Sequence, residues 1–306
     1  MSVLTEKIKK LLTVETDKVL PHSEKGRRRA EIVSICSQKG GVGKTTTAVN
    51  LACALSKEHS KKVLLLDLDP QGHVEKSLGS IIPDGVEYSP MSTILSVKKG
   101  NILDGIIATE QKNFYISPAD RTLYETENLL ATKIGKEFIL KDALKVAQSH
   151  FDFILIDCPP NLGNLTLNAL VASDYCIVPC EMSVLAFEGV NDLVETLELV
   201  NTRLNKRLKV LGVVFTRVDG RNLNMNHLIE SNIRKFFRNK VFDTQISVNT
   251  DLNKAQLDGQ PIFDNYPSSS GSINYIQLTE EFLKKIKNNK LHKKKEVLGL
   301  KLQTAM

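Results

Sequence analysis

The chain is built from apolar runs that break at polar or glycine-rich turns. Ile32 to Cys36, Val63 to Leu68, Phe151 to Ile156, Tyr175 to Pro179 and Val210 to Thr216 are such runs. They lack the apolar–polar alternation of a half-exposed strand and read as parallel strands buried on both faces. Phe114 to Ser117 adds a short strand and Val241 to Ser247 a weaker one. Between the runs, apolar residues recur at helical spacing: Ala48, Leu51, Ala52 and Leu55, then Leu165 to Ala172. Phe187, Val190, Leu193, Val194, Leu197 and Val200 continue the pattern, followed by Asn226 to Arg238 and a closing helix from Tyr275 to Ile286. Lys133 to Ala147 also reads as helical, whereas turn signals divide Gly79 to Glu110 around short apolar helices. Strands alternating with helices predict a single α/β domain over residues 31–286. Its sheet is expected to be mostly parallel, of roughly seven strands, and covered by helices on both faces.

Two flanks stand apart from this domain. Residues 1–30 form a basic N-terminal extension, with Leu4, Ile8, Leu11 and Leu12 at helical spacing before Lys25-Gly26-Arg27-Arg28-Arg29. It reads either as a frayed helix on a charged, solvated linker or as a basic arm that touches DNA or a protein. Residues 287–306 form a lysine-rich tail; residues 284–295 alone hold seven lysines. Leu298, Leu300 and Leu302 follow at a spacing of two, which does not make an amphipathic membrane anchor. A disordered basic tail is the expectation.

Composition narrows the class. With 42% hydrophobic and 25% charged residues among 306, the chain is ordinary for a soluble globular protein. A net charge of +6 permits a nucleic-acid partner without requiring one. The five cysteines form no Cys-x-x-Cys pair and mostly sit in or beside apolar runs, so they read as small buried hydrophobes in a reducing compartment. No stretch has the length and apolarity of a leader or a membrane span, and a cytoplasmic protein is expected.

The chemistry concentrates where three runs end. Gln38-Lys39-Gly40-Gly41-Val42-Gly43-Lys44-Thr45-Thr46-Thr47 joins the first strand to the first helix. Strand, glycine-rich loop and helix is the setting of a phosphate-binding P-loop. Glycines let the backbone N–H groups close on phosphate oxygens, and the helix aims its positive end at the same anion. Lys44 supplies a point charge for the β- and γ-phosphates, and the Thr45 hydroxyl is placed to ligate Mg²⁺. The second run ends in Asp67-Leu68-Asp69-Pro70-Gln71-Gly72 and the Phe151 run in Asp157-Cys158-Pro159-Pro160. Carboxylates at the carboxyl ends of parallel strands can support Mg²⁺ or orient an attacking water.

These three motifs resemble those of the ParA/MinD superfamily, and within it the ParA/Soj chromosome or plasmid partitioning ATPases, over about residues 30 to 286. The extra Lys39 at the head of the loop marks the deviant P-loop of that group. The resemblance implies ATP and Mg²⁺ as cofactors and binding of nucleotide through residues Lys39, Gly40, Gly41, Val42, Gly43, Lys44, Thr45 and Thr46. It implies an ATP-dependent homodimer in which each Lys39 reaches the partner's phosphates. Asp69 then orients water, with Lys39 and Lys44 also catalytic, while Thr45, Asp67 and Asp157 serve the metal. It further implies slow hydrolysis stimulated by a ParB-type centromere-binding protein, non-specific binding of double-stranded DNA, and association with the nucleoid. Arg221 matches a DNA-surface arginine of relatives, and Arg234, Lys235, Arg238 and Lys254 are further cationic candidates. The chain departs from the family at Ser247 to Gln256, where Asp251 stands at the place of a second DNA-contacting arginine. Rival readings are a MinD-type ATPase at a membrane division site and a ParA-like ATPase that positions a flagellar or microcompartment assembly.

Overall fold

The computed structural model describes residues 29–183 and 186–303. The expected strands appear as β1 (Glu31–Ile35), β2 (Val63–Asp67), β3 (Ile107–Ala108), β4 (Phe114–Ser117), β5 (Phe153–Asp157), β6 (Tyr175–Glu181) and β7 (Lys209–Thr216). The helices are α1 (Lys44–Lys57), α2 (His73–Leu78), α3 (Met91–Ser96), α4 (Leu123–Ala131), α5 (Ile139–Ala143) and α6 (Asn164–Ala172). They continue as α7 (Ala186–Arg203), α8 (Leu223–Phe237), α9 (Thr250–Leu257), α10 (Ile262–Asn265) and α11 (Ser270–Gln303).

One seven-stranded sheet runs in the order β3-β4-β2-β5-β1-β6-β7. Every pairing is parallel except β3 with β4. Successive residues of a strand face opposite sides, so Leu64 and Leu66 of β2 enter one apolar core while Val63 and Leu65 enter the other. The first core packs β1, β5 and β6 against helices such as α6 and α7; the second packs them against α1 and α11. This two-sided burial is what makes the strands read as continuous apolar runs. All five cysteines are buried and form no disulfide, and burial pushes the thiols of Cys36, Cys158 and Cys180 up, as suits inert packing groups.

Three expectations are corrected. Val241 to Ser247 is not a strand: it meets β7 and the residue Val218 beyond it at isolated bridges, Val213 to Val241 and Val218 to Ser247, with only the Phe242 and Ile246 N–H groups donating to β7. Between them the backbone N–H groups of Asp243 and Thr244 donate to the Glu281 carboxylate of α11, which takes the donors a ladder would need. The seventh strand is instead β3, two residues long at the antiparallel edge. The helix expected over Lys133 to Ala147 is interrupted by Gly135, whose φ of 69° lies in the left-handed region that favours glycine. Lastly, the lysine-rich stretch continues the closing helix to Gln303 instead of forming a disordered tail. No Gly or Pro interrupts Ile273 to Val297, and Lys290 anchors the helix to Glu31 at 2.6 Å. Residues 1–28 of the N-terminal extension lie outside the described residues.

Candidate nucleotide site at the carboxyl end of the sheet

β1 is flanked by β5 and β6, so its carboxyl end opens into the middle of the sheet edge, where α/β proteins bind ligands. The loop from Lys39 to Gly43 turns there and enters α1. Gly41 and Gly43 have φ of 73° and 81°, which side-chain-bearing residues rarely adopt. Gly43 caps α1 without any side-chain acceptor, and the first turn carries no acid, so its N–H groups are left to an anion. Thr216 at the end of β7 donates to the Val42 carbonyl at 2.8 Å, and Arg217 donates to the Gly41 carbonyl at 3.1 Å. The loop is thereby fixed from outside itself.

Lys44 is buried, with its ammonium 3.3 Å from the Lys39 carbonyl, curled back over the loop. Thr45 donates from its hydroxyl to Asp157 Oδ2 at 2.6 Å. The other oxygen, Asp157 Oδ1, is buried and has no hydrogen-bond partner. An orphaned carboxylate oxygen beside a P-loop threonine fits the surroundings of a hydrated Mg²⁺. Burial raises the pKa of Asp157, opposed by the Thr45 hydroxyl and the Lys44 charge. Asp67 is paired in register with Asp157 across β2 and β5 and is likewise raised, first by burial and then by the neighbouring carboxylate. Its oxygens have another use: Oδ1 accepts from the Asp69 N–H and Oδ2 from the Val74 N–H. Asp67 therefore ties down the turn that carries Asp69, whereas Asp157 sits directly at Thr45. Asp69 accepts from the Gln71 N–H, and its side chain lines the same cleft as Gly40, Lys44, Thr45 and Thr46. The cleft, about 480 Å³, continues past Arg217 to Ser247, Asn249, Gln256 and Tyr275.

An AAA domain family model spans residues 30–210. The sporulation initiation inhibitor protein Soj of Bacillus subtilis is 40% identical over 251 residues, which cover 82% of this chain and 97% of the relative. The chromosome partitioning protein ParA of Myxococcus xanthus is 37% identical over 254 residues, covering 83% of this chain and 88% of the relative. A solved cobyrinic acid a,c-diamide synthase from Mycobacterium smegmatis, with bound ADP and magnesium, shares the fold. The two superpose with a TM-score of 0.70 at 30% identity, covering 85% of this chain and 96% of that one. The chain belongs to the ParA/Soj family of P-loop ATPases.

The lysine that marks this family, Lys39, is exposed and ion-paired with Glu181 at 2.7 Å. Glu181 also lies 3.8 Å from Arg217 and so bridges two cations at the rim of the cleft. Sequence reasoning passed over it, because the strand was expected to stop at Pro179. The available signal was a third apolar run ending in a carboxylate, like those ending at Asp67 and Asp157.

The five cations proposed for a ParA/Soj DNA surface do not share one environment. Arg221 is locked onto Asp219 of its own loop by bonds from the backbone and the guanidinium, which hold the Asp219 carboxyl down to about 2. Arg234 pairs with Glu230 and Asp243 and donates to the Phe242 carbonyl. Lys254 pairs with Asp251, the residue at which the charge departs from the family, and lies over the Tyr266 ring. Among the described residues, Lys235 and Arg238 are exposed and make no ion pair. Also among the described residues, no helix is long and apolar enough to cross a membrane.

Proposed function

We propose that this protein is a partition-type nucleotide switch: an ATPase that dimerises with ATP, holds double-stranded DNA without sequence preference, and hydrolyses ATP when a ParB-type centromere-binding protein completes its site. The observation that carries the reading is the meeting of the Thr45 hydroxyl and the half-satisfied Asp157 carboxylate beneath a P-loop whose extra lysine is exposed. Phosphoryl transfer needs positioning and charge more than covalent help from the protein. Lys44 and the N–H groups of the loop and first turn of α1 bind the phosphates. Thr45, oriented by Asp157, would hold Mg²⁺, which would supply positive charge to offset that of the phosphates. Asp67 acts at one remove by holding the turn, so that Asp69 faces the cleft and positions the attacking water.

Lys39 sits outside this set in the single chain. Its ammonium is exposed and held only by a rim carboxylate, so a second copy facing the cleft can receive it. Dimer closure places the cations of two copies on one body, multiplying a weak attraction for DNA into a useful one. Such a protein would reside on the nucleoid. Asp69→Ala tests the mechanism: ATP binding should persist while the DNA-bound dimer, followed by the dissociation rate from duplex DNA after dilution, lives longer. Rapid release by that variant would remove Asp69 from the hydrolytic step.

A further inference from the structure

At the opposite end of the sheet from the nucleotide cleft lies a groove of about 850 Å³ between the end of α7, the start of β7, the turn Arg238–Lys240 and α11. Its floor is apolar, made by the buried side chains of Leu197, Leu208 and Leu211. Lys206, Lys209 and Lys240 stand exposed on its walls, and among the described residues none of the three makes an ion pair. Glu198 is the one carboxylate among its described lining residues. Asn239 and Asn288 add exposed side-chain amides that make no hydrogen bond among the described residues. Lys285 gives the groove its shape, donating to the Asn239 and Val241 carbonyls and so pinning the turn to α11. The groove is thus formed in the protein alone.

We propose that this groove is a second nucleotide site, separate from the P-loop cleft, which takes a nucleoside di- or triphosphate. Each part of such a ligand meets a matching part of the groove. The three uncompensated ammonium groups suit a short chain of phosphates, each acting as a point charge with several donors. The leucine floor suits the face of a base, whose burial removes apolar surface from water on both sides. The two unspent amides each offer a donor and an acceptor, the groups that read the edge of a base. A bare polyphosphate would use the lysines and leave the floor wet. The volume falls in the range of roughly 300–1,000 Å³ in which small-molecule sites enclose most of their ligand. β7 separates the groove from Thr216 in the cleft by about 23 Å at the usual rise per residue, so the groove can be altered without touching the hydrolytic residues. This second site goes beyond the partition reading and stands whichever cargo the switch serves.

The test is a calorimetric titration of the full chain, with Mg²⁺, by a non-hydrolysable ATP analogue up to millimolar concentration, comparing wild type with K209A/K240A and with K240E. The wild type should take up two molecules per chain, one in the cleft and one in the groove. K209A/K240A should weaken the second event about 10- to 100-fold, since charge-assisted contacts to phosphate are lost. The first event and basal ATP hydrolysis should be unchanged, and K240E should act in the same way. Inorganic tripolyphosphate, added once the analogue fills the cleft, should bind the groove at least about 10-fold more weakly than the nucleotide, because it leaves the floor exposed. Uptake of a single molecule per chain by the wild type would overturn the proposal. Equal binding of tripolyphosphate would overturn it too, by reducing the groove to a patch of charge. A second event untouched in both variants would lie outside the groove and overturn the location. Loss of duplex DNA binding by K209A/K240A, with the second event intact, would give the groove to nucleic acid instead.

Discussion

The two ends of the sheet handle charge in opposite ways. At the carboxyl end Lys44, Asp67, Asp69 and Asp157 are buried, and every one but Asp157 Oδ1 is held by a specific atom or faces the cleft. At the amino end Lys206, Lys209 and Lys240 stand in solvent around a groove. Buried charge is expensive unless paired, so it is kept where position to within a fraction of an ångström matters, as at a reacting phosphate. Exposed charge costs little and acts through a screened field, which suits the capture of an anion from solution.

The largest expected effect tests the placed end. Lys44→Ala removes the point charge over the loop and should weaken ATP about 100-fold or more by calorimetry, since a charge-assisted contact in a desolvated site is lost. Retention of affinity within threefold would show that the loop N–H groups alone hold the phosphates.

Next comes Asp157→Asn, which sharpens the contrast by separating stability from function. Asp157 and Asp67 have raised pKa values in the folded protein, so between the ordinary carboxylate value and their raised ones the native state binds more protons than the unfolded chain. Stability of the ligand-free protein should therefore fall as pH rises from about 4 towards neutrality. Removing the Asp157 charge should stabilise the ligand-free form at neutral pH by about 1–3 kcal/mol, a few degrees in Tm, and flatten that fall. The same variant should lose most of the thermal shift given by nucleotide with Mg²⁺. A lower ligand-free Tm would mean that the Asp157 charge is already compensated.

Smallest is Glu181→Gln. The Lys39–Glu181 pair is exposed and worth at most about 1 kcal/mol, so the ATP-dependent dimer measured by sedimentation should change by less than about fivefold, toward more dimer. Collapse of dimerisation to the level of Lys39→Ala would instead make Glu181 part of the closed interface.

The sequence alone carried the parallel sheet, the P-loop and the two strand-end carboxylates. These are local facts: an apolar run buried on both faces, a glycine loop between strand and helix, and an acid at the run's end lie within a few residues of one another. Even the cysteines were legible as packing groups, from the runs that hold them. The tertiary structure decided what depends on partners distant along the chain. Val241 to Ser247 has the composition of a strand, yet Glu281 takes the backbone donors of Asp243 and Thr244 at its centre. Asp67 and Asp157 look alike in the sequence, but one ties its own turn while the other meets Thr45 across the sheet. Arg221, Arg234 and Lys254, by contrast, meet acids only two to nine residues away, pairs that the local turn of each loop and helix closes. Lys206 and Lys240 are remote in sequence and share a groove only because β7 and α11 bring their loops together. The sequence fixes which groups a residue carries and what lies beside it along the backbone; which charges meet across space depends on how strands and helices are stacked.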